Sequence, residues 1–247
     1  MNEEVAVIEA TPSYRSGNRY RISKDLDIPK YLEETYWWAY LHPTAVHIFE
    51  RQWLVNLILW GNFKRLRDAA LDEFGPQLEG NSLQVACVYG DFSQRAASRL
   101  TPDSKLDIVD VAPIQLQNTK RKVQNNKNVF LHHQDSSQLK FEDGTYDNVI
   151  VFFLLHEQPE AVREKTVKEA LRVVRPGGKV VFVDYHRPTS INPFRYIMNP
   201  ILRLLEPFAM DLWKHEITEW LPEGTPPQSI QKETMFGSLY QKVVIIK

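Results

Sequence analysis

Leu83-Gln84-Val85-Ala86-Cys87-Val88-Tyr89-Gly90 is the stretch that decides the fold of this chain. Its apolar residues predict a buried strand over 83–88 that runs into a turn and then a helix near 92–100, as the first strands of nucleotide-binding α/β domains do. Such a turn is ordinarily rich in glycine, so that backbone amides can come close to a cofactor. Here Gly90 is the one glycine, and Ala86, Val88 and Tyr89 stand where small residues are expected. Either the turn holds no cofactor or it holds one in a different way.

Downstream, strand and helix alternate. Strands are predicted at 106–111, 129–133, 148–155 and 179–184, with helices at 113–125 and 159–174. The second of these helices ends at Arg175-Pro176-Gly177-Gly178, whose proline and glycines stop it. Buried strands joined by helices mean a parallel sheet covered on both faces. Residues 234–246 predict two terminal strands around a short turn.

Upstream, residues 1–28 look irregular. Helices are predicted over 31–40 and then from Pro43 to Trp60, where Val46, Phe49, Trp53, Leu57 and Trp60 recur at helical spacing. These aromatics form a cap packed on the core, some of which also lines a site for an apolar substrate. Between the fifth strand and the chain end, residues 190–221 carry an amphipathic pattern from Ile191 to Trp213, divided by Pro193, Pro200 and Pro207. Two readings stand: a helical insertion covering the core, or an interfacial helix pair offering apolar residues to a membrane. The expected organisation is an N-terminal segment and cap over 1–80, an α/β core over 81–189, the insertion over 190–222 and terminal strands over 223–247.

With 30 basic and 31 acidic residues the net charge is −1, which gives no electrostatic reason to bind nucleic acid. The single cysteine, Cys87, excludes an intrachain disulfide framework and a cysteine-based zinc site. The start, Asn2-Glu3-Glu4, lacks a basic-then-apolar signal pattern, and the apolar window Trp53–Trp60 is too short to cross a bilayer. A soluble or peripheral protein is expected.

Asp110 ends the second strand about twenty residues beyond Gly90, the spacing at which an acidic side chain accepts hydrogen bonds from ribose hydroxyls. The same aspartate also suits a helix N-cap before Pro113. Asp135-Ser136-Ser137 follows the third strand, where a side chain meets an adenine amino group. His132-His133 alternate faces on a strand, so both cannot point into one site.

The turn at 83–90, Asp110, Asp135, the Phe141–Asp147 loop and Glu169–Gly178 together resemble class I S-adenosylmethionine-dependent methyltransferases over roughly residues 80–186. A Rossmann-like, mostly parallel sheet of seven strands is implied. Further stretches are similar to the rhodoquinone biosynthesis family: Gln84–Phe92 with its unusual turn, Asp110–Pro113, Gln134–Ser137, Phe152–Gln158, Val183–Pro188, Tyr36–Pro43, Arg51–Asn56 and Glu206–Ala209. That resemblance implies conversion of ubiquinone to rhodoquinone, a ring methoxy being exchanged for an amino group, with S-adenosyl-L-methionine as amino donor and manganese(II) required.

The resemblance also implies roles. Ala86, Val88, Tyr89, Gly90, Asp110, Val111, Asp135 and Ser136 become cofactor contacts, with Val88-Tyr89-Gly90 on the methionine side. Catalytic candidates at the ends of the fourth and fifth strands are His156, Tyr185 and His186, and metal candidates are His156, Glu157, Asp184 and His186. Tyr36, Trp37, Trp53 and Phe208 are expected at the quinone. The implied location is cytoplasmic, peripheral on the inner face of the cytoplasmic membrane, or on the matrix side in a mitochondrion. A conventional quinone or small-molecule methyltransferase and a non-catalytic quinone-binding protein are the other readings.

Overall fold

The computed structural model describes residues 20–21, 26–224 and 226–247, so most of the stretch read as irregular, 1–28, lies outside the described residues. Eight strands form one sheet: β1 (Tyr20–Arg21), β2 (Asn81–Val85), β3 (Lys105–Asp110), β4 (Val129–His133), β5 (Tyr146–Phe152), β6 (Val174–Tyr185), β7 (Ser229–Met235) and β8 (Tyr240–Ile246). Their order across the sheet is β1-β4-β3-β2-β5-β6-β8-β7. All pairings from β1 to β6 are parallel, and β8 runs antiparallel to both β6 and β7. The seven long strands match the expected Rossmann-like sheet; the two-residue β1 is an additional edge.

The strand sequences show why both faces are covered. Along β5, Ile150 and Phe152 join one buried cluster while Val149 and Val151 join the other, the period-two alternation of a sheet buried on both sides. The first face packs against α4 (Phe63–Leu71), α5 (Phe92–Ser98) and α6 (Pro113–Val123). The second packs against α7 (Glu160–Val173) and a short 3-10 turn at Ile217–Trp220. Strand β2 aligns Val85 with Val109 of β3 and Val151 of β5, so the central strands finish level and deliver their following loops to one edge.

Before α4 the cap consists of α1 (Lys30–Tyr36), a π-helical turn at Trp37–Leu41, α2 (Pro43–Phe49) and α3 (Gln52–Ile58). The helix expected from Pro43 to Trp60 is thus two helices. Arg51 is extended between them (ψ 115°), and Glu50 beside the break is held by Lys122 and Asn118 of α6. Trp60 and Gly61 then take left-handed backbone and end α3. In the insertion, α8 (Phe194–Leu205) continues through Pro200, whereas Pro207 opens α9 (Pro207–Leu212). The C-terminal hairpin also differs from expectation: Phe236, Gly237 and Ser238 are all left-handed, so the turn occupies 236–239 and β7 begins earlier, at Ser229.

Candidate active site

Two adjoining cavities lie beyond the C-terminal ends of the parallel strands. The narrower, about 50 Å³, is walled by Ala86, Cys87, Asp110, Val111, Gln115, Asp135 and Ser136 and roofed by Tyr31, Leu32 and Tyr40 of the cap. Every nucleoside-side residue expected from the sequence therefore meets in one place. The Asp110 carboxylate accepts the Cys87 and Ala112 amides, each at 2.7 Å, and burial pushes its pKa up to about 6 despite those bonds. Asp135 accepts the Ser137 amide, and the Ser136 hydroxyl is engaged by Gln158 and Thr166.

The turn owes its shape to side chains that hold it rather than to several glycines. Ala86 is left-handed (φ 73°), a conformation that costs a non-glycine residue about 1 kcal/mol. Gln84, buried beneath it, donates to the Ala86 carbonyl and the Ser93 hydroxyl and ties the turn to α5. Gly90 is left-handed too, and a Cβ there would come within 3.0 Å of the Phe63 ring. Tyr89 points into the cap: its hydroxyl donates to the Ala39 carbonyl (2.7 Å), accepts from Gln115 (2.7 Å), and its ring stacks on Tyr40. Its bulk fastens the cap to the cofactor turn.

The second cavity, about 400 Å³, is mostly apolar and is lined by Trp38, Phe49, Trp60, Val88, Phe152, Met198 and Leu202, among others. Tyr40, Cys87, Phe153 and Glu157 line both cavities, so the two share a wall. None of the four expected quinone contacts lines this cavity. Trp37 and Trp53 are 53% and 62% exposed, and Tyr36 and Phe208 pack on each other outside the cavity wall. For Trp37 the cause is the π turn, closed by the His42 amide on the Trp37 carbonyl, which shifts the helical phase by one residue and turns Trp38 and Tyr40 to the cavity. Helical periodicity alone does not reveal that shift.

The polar end of this cavity is formed by His156, Glu157, Tyr185 and Glu206. Nδ1 of His156 donates to Asp184 at 2.9 Å, which leaves Nε2 toward Glu157 at 3.8 Å. Burial alone disfavours the imidazolium, but Asp184 first, with Glu157 and Glu206 nearby, overcomes it and raises the imidazole to about 9. Burial pushes Glu157 up to about 8, and raises Glu206 also, whose Oε2 is buried without a hydrogen-bond partner. Tyr185 sets its ring edge-on to His156, with burial lifting its phenol well above the usual range. Sequence reasoning missed Glu206 as a site residue because it sits just before α9, far from the strand ends.

It also missed Arg163. Fully buried on α7, this guanidinium donates to the Leu155, Gln158 and Phe208 carbonyls and pairs with Asp211, so it binds the loop carrying His156 and Glu157 to α9.

Two metal candidates, Asp184 and His186, are engaged by other groups. Asp184 accepts the Leu155, His156 and Tyr185 amides as well as the imidazole, which commits both its oxygens to orienting the loop. His186 turns away onto the Ser238 carbonyl, Lys232 and Glu216. The other two metal candidates, His156 and Glu157, stay at the polar end of the cavity beside Glu206, whose Oε2 is buried without a donor, but the ligand atoms of these three do not gather within 4.8 Å of one another. Among the described residues, Glu160, Asp211 and His215 have ligand atoms within 4.8 Å of one another, but they lie outside both cavities and are tied up by Arg163, Lys214 and Glu219. Both adjacent histidines of β4 are structural: His132 bonds Asp107 and His133 bonds the Val111 carbonyl.

Residues 83–178 match the family described as a methyltransferase domain. The demethylmenaquinone methyltransferase of Staphylococcus aureus (strain JH9) is 28% identical over 174 residues, 70% of this chain and 71% of that protein. Among solved structures, a SAM-dependent methyltransferase from Aquifex aeolicus superposes with TM-score 0.54 at 17% identity, covering 83% of this chain and 99% of that one. Phosphoethanolamine N-methyltransferase 2 of Haemonchus contortus, in complex with S-adenosyl-L-methionine, gives TM-score 0.60 at 16% identity over 88% of this chain and 59% of that one. The fold is that of class I methyltransferases.

Proposed function

We propose that this protein is an S-adenosylmethionine-dependent transferase acting on the head group of a lipid-soluble quinone, and that its reaction replaces a ring methoxy of ubiquinone with an amino group to give rhodoquinone. One observation carries the reading: an apolar cavity of about 400 Å³, ending in His156, Glu157 and Glu206, shares a wall with the pocket around Asp110. Such a cavity suits a prenylated ring, and its polar end suits proton and charge transfer beside the reactive end of the cofactor. The similarity to a demethylmenaquinone methyltransferase supports the quinone part. The amino transfer rests on the resemblance of the turn, the cap and the 152–158 stretch to the rhodoquinone biosynthesis family.

In this mechanism Asp110 would accept the ribose hydroxyls, Asp135 would serve the adenine end, and Val88 would border the methionine moiety. The methoxy-bearing ring carbon is the β-carbon of a vinylogous ester, open to attack by a neutral amine. Nε2 of His156, oriented through Nδ1 by Asp184, accepts the ammonium proton when the imidazole is neutral, a form that its raised pKa favours in alkaline solution. The carbon–nitrogen bond then forms, charge gathers on the quinone oxygen, and methoxide takes the remaining nitrogen proton and leaves as methanol, giving an aminoquinone still bonded to the donor's Cα. Loss of the Cα proton passes that C–H electron pair to the ring, and hydrolysis of the resulting imine releases the aminoquinol and the donor's 2-oxo acid. Glu157 and Glu206 are the residues that would hold manganese(II), which would supply Lewis-acid stabilisation of the quinone oxygen. Phe153 and Tyr185 pack against the imidazole and keep water from it.

A conventional quinone methyltransferase is the second reading, favoured by that same relative. One assay separates the two: purified protein, ubiquinone, S-adenosylmethionine and manganese(II), with the quinone analysed by mass. Amino-for-methoxy exchange with nitrogen drawn from labelled S-adenosylmethionine supports the proposal, an added methyl supports the second reading, and an unchanged quinone overturns both.

A further inference from the structure

Large apolar side chains left exposed are concentrated on two helices. On α3 these are Trp53, Leu57 and Ile58; on α8 they are Ile197, Ile201, Leu204 and Leu205, with Leu204 81% exposed. Four of them, Leu57, Ile58, Ile201 and Leu205, also line the large cavity. The cavity therefore opens between α3 and α8, and its mouth is rimmed by apolar side chains facing outward. A contiguous apolar rim around a cavity of this kind marks a surface that is covered in use.

Charge identifies what covers it. Residues 51–65 and 191–205, which contain α3 and α8, carry Arg51, Lys64, Arg65, Arg195 and Arg203 and no aspartate or glutamate, in a chain whose net charge is −1. None of these five cations is paired with a carboxylate among the described residues. A second copy fits poorly, because a two-fold contact through this face would set the same unpaired cations against each other. An anionic lipid surface fits well: apolar side chains enter the acyl boundary while arginine and lysine meet phosphate. Trp53 and Tyr196, both exposed, are side chains that favour the headgroup level. No helix among the described residues is long and apolar enough to cross a membrane, so contact of this kind is interfacial.

We propose that the α3–α8 rim docks this protein on an anionic bilayer, with the mouth of the cavity pressed to the lipid so that a membrane-dissolved substrate passes from the acyl region to His156 without crossing water. The inference deepens the quinone reading by naming where the substrate is taken from. Its test requires neither cofactor nor turnover, so failure of the quinone assay leaves it standing and its own failure leaves that assay standing.

The full chain is sedimented with vesicles of phosphatidylcholine alone and of phosphatidylcholine mixed with phosphatidylglycerol. The expected result is binding to the mixed vesicles that falls in high salt. The double variant Ile197→Glu/Leu204→Glu should weaken binding by about tenfold or more, because each change removes an inserted apolar side chain and adds a repelled charge. Arg203→Glu should weaken it less and flatten the salt dependence. All three positions are exposed, so the fold is expected to survive, which circular dichroism verifies. Tryptophan emission quenched by lipid brominated near the headgroup, and lost in Trp53→Ser, would support the same face independently. Equal recovery with and without vesicles, or full binding by the double variant, overturns the proposal. A concentration-dependent dimer that the double variant abolishes, without vesicle binding, assigns the face to a second copy and overturns it as well.

Discussion

The two cavities are built by different means. Around Asp110 the wall is core backbone: strand ends, the amides of Cys87 and Ala112, and a turn clamped by Gln84. Around His156 the wall is assembled from side chains of the cap, of α8 and of one loop, with Phe49, Trp60, Met198 and Glu206 arriving from distant parts of the sequence. A backbone-built pocket changes little when single side chains are replaced, whereas a side-chain-built cavity can be reshaped for another substrate. The pocket around Asp110 thus follows from the sheet itself, whereas the shape of the apolar cavity depends on the cap and the insertion.

The largest effect that would sharpen this contrast is expected at Arg163, which joins the 155–158 loop to α9. Arg163→Met leaves the Leu155, Gln158 and Phe208 carbonyls without their donor and Asp211 without its partner, and should lower unfolding free energy by about 3–5 kcal/mol. A urea midpoint unchanged from the parent would mean the loop is held by something else.

Asp110→Ala comes next. It should weaken S-adenosylhomocysteine binding, measured calorimetrically, by about a hundredfold, while leaving quinone binding in the apolar cavity nearly intact. Equal losses for both ligands would break the separation of the two cavities. The parent should also bind the nucleoside less tightly in acid. Burial raises the Asp110 carboxyl to about 6, so the ionised acceptor is present above that value and is lost as pH falls through it. Affinity independent of pH between about 5 and 7 would show that this carboxylate is not the acceptor.

Tyr89→Phe should cost about 1–2 kcal/mol, since it deletes the bond to the Ala39 carbonyl and the acceptor for Gln115. Faster hydrogen exchange is expected in residues 30–60 but not in the sheet. The smallest effect is a contrast of two neighbours. Trp38→Ala should impair quinone binding several-fold, whereas Trp37→Ala, at a half-exposed position, should be almost silent. The opposite order would mean that the cap has a different helical phase in solution.

The α/β core was readable because its strands are buried on both faces and its helices alternate with them: Asp110 and Asp135 could be assigned to one pocket from spacing alone. The cap was readable only as helical and aromatic. A π turn leaves no mark on hydrophobic spacing, so the inward face of residues 36–41 was assigned one position early. Asp184 was identified as important, but only coordinates reveal that its oxygens are consumed by three amides and an imidazole. Glu206 and Arg163 depend on long-range packing between α7, α9 and the 155–158 loop, for which a single sequence has no local signal. The departures from glycine in the turn did carry information, since Tyr89 exchanges backbone openness for a tether to the cap.

The π turn at Trp37–Leu41 has one further consequence. A π segment is in effect an α-helix holding one supernumerary residue. Removing any single residue between 37 and 41 would let the segment relax to an ordinary helix whose flanks stay nearly in phase, because a π turn and an α turn both close about one revolution, while each inward position within the segment passes to a neighbouring residue. Relatives of this protein could therefore acquire a differently shaped cavity by the loss or gain of one codon, with no substitution at any lining position and no disturbance of the sheet beneath.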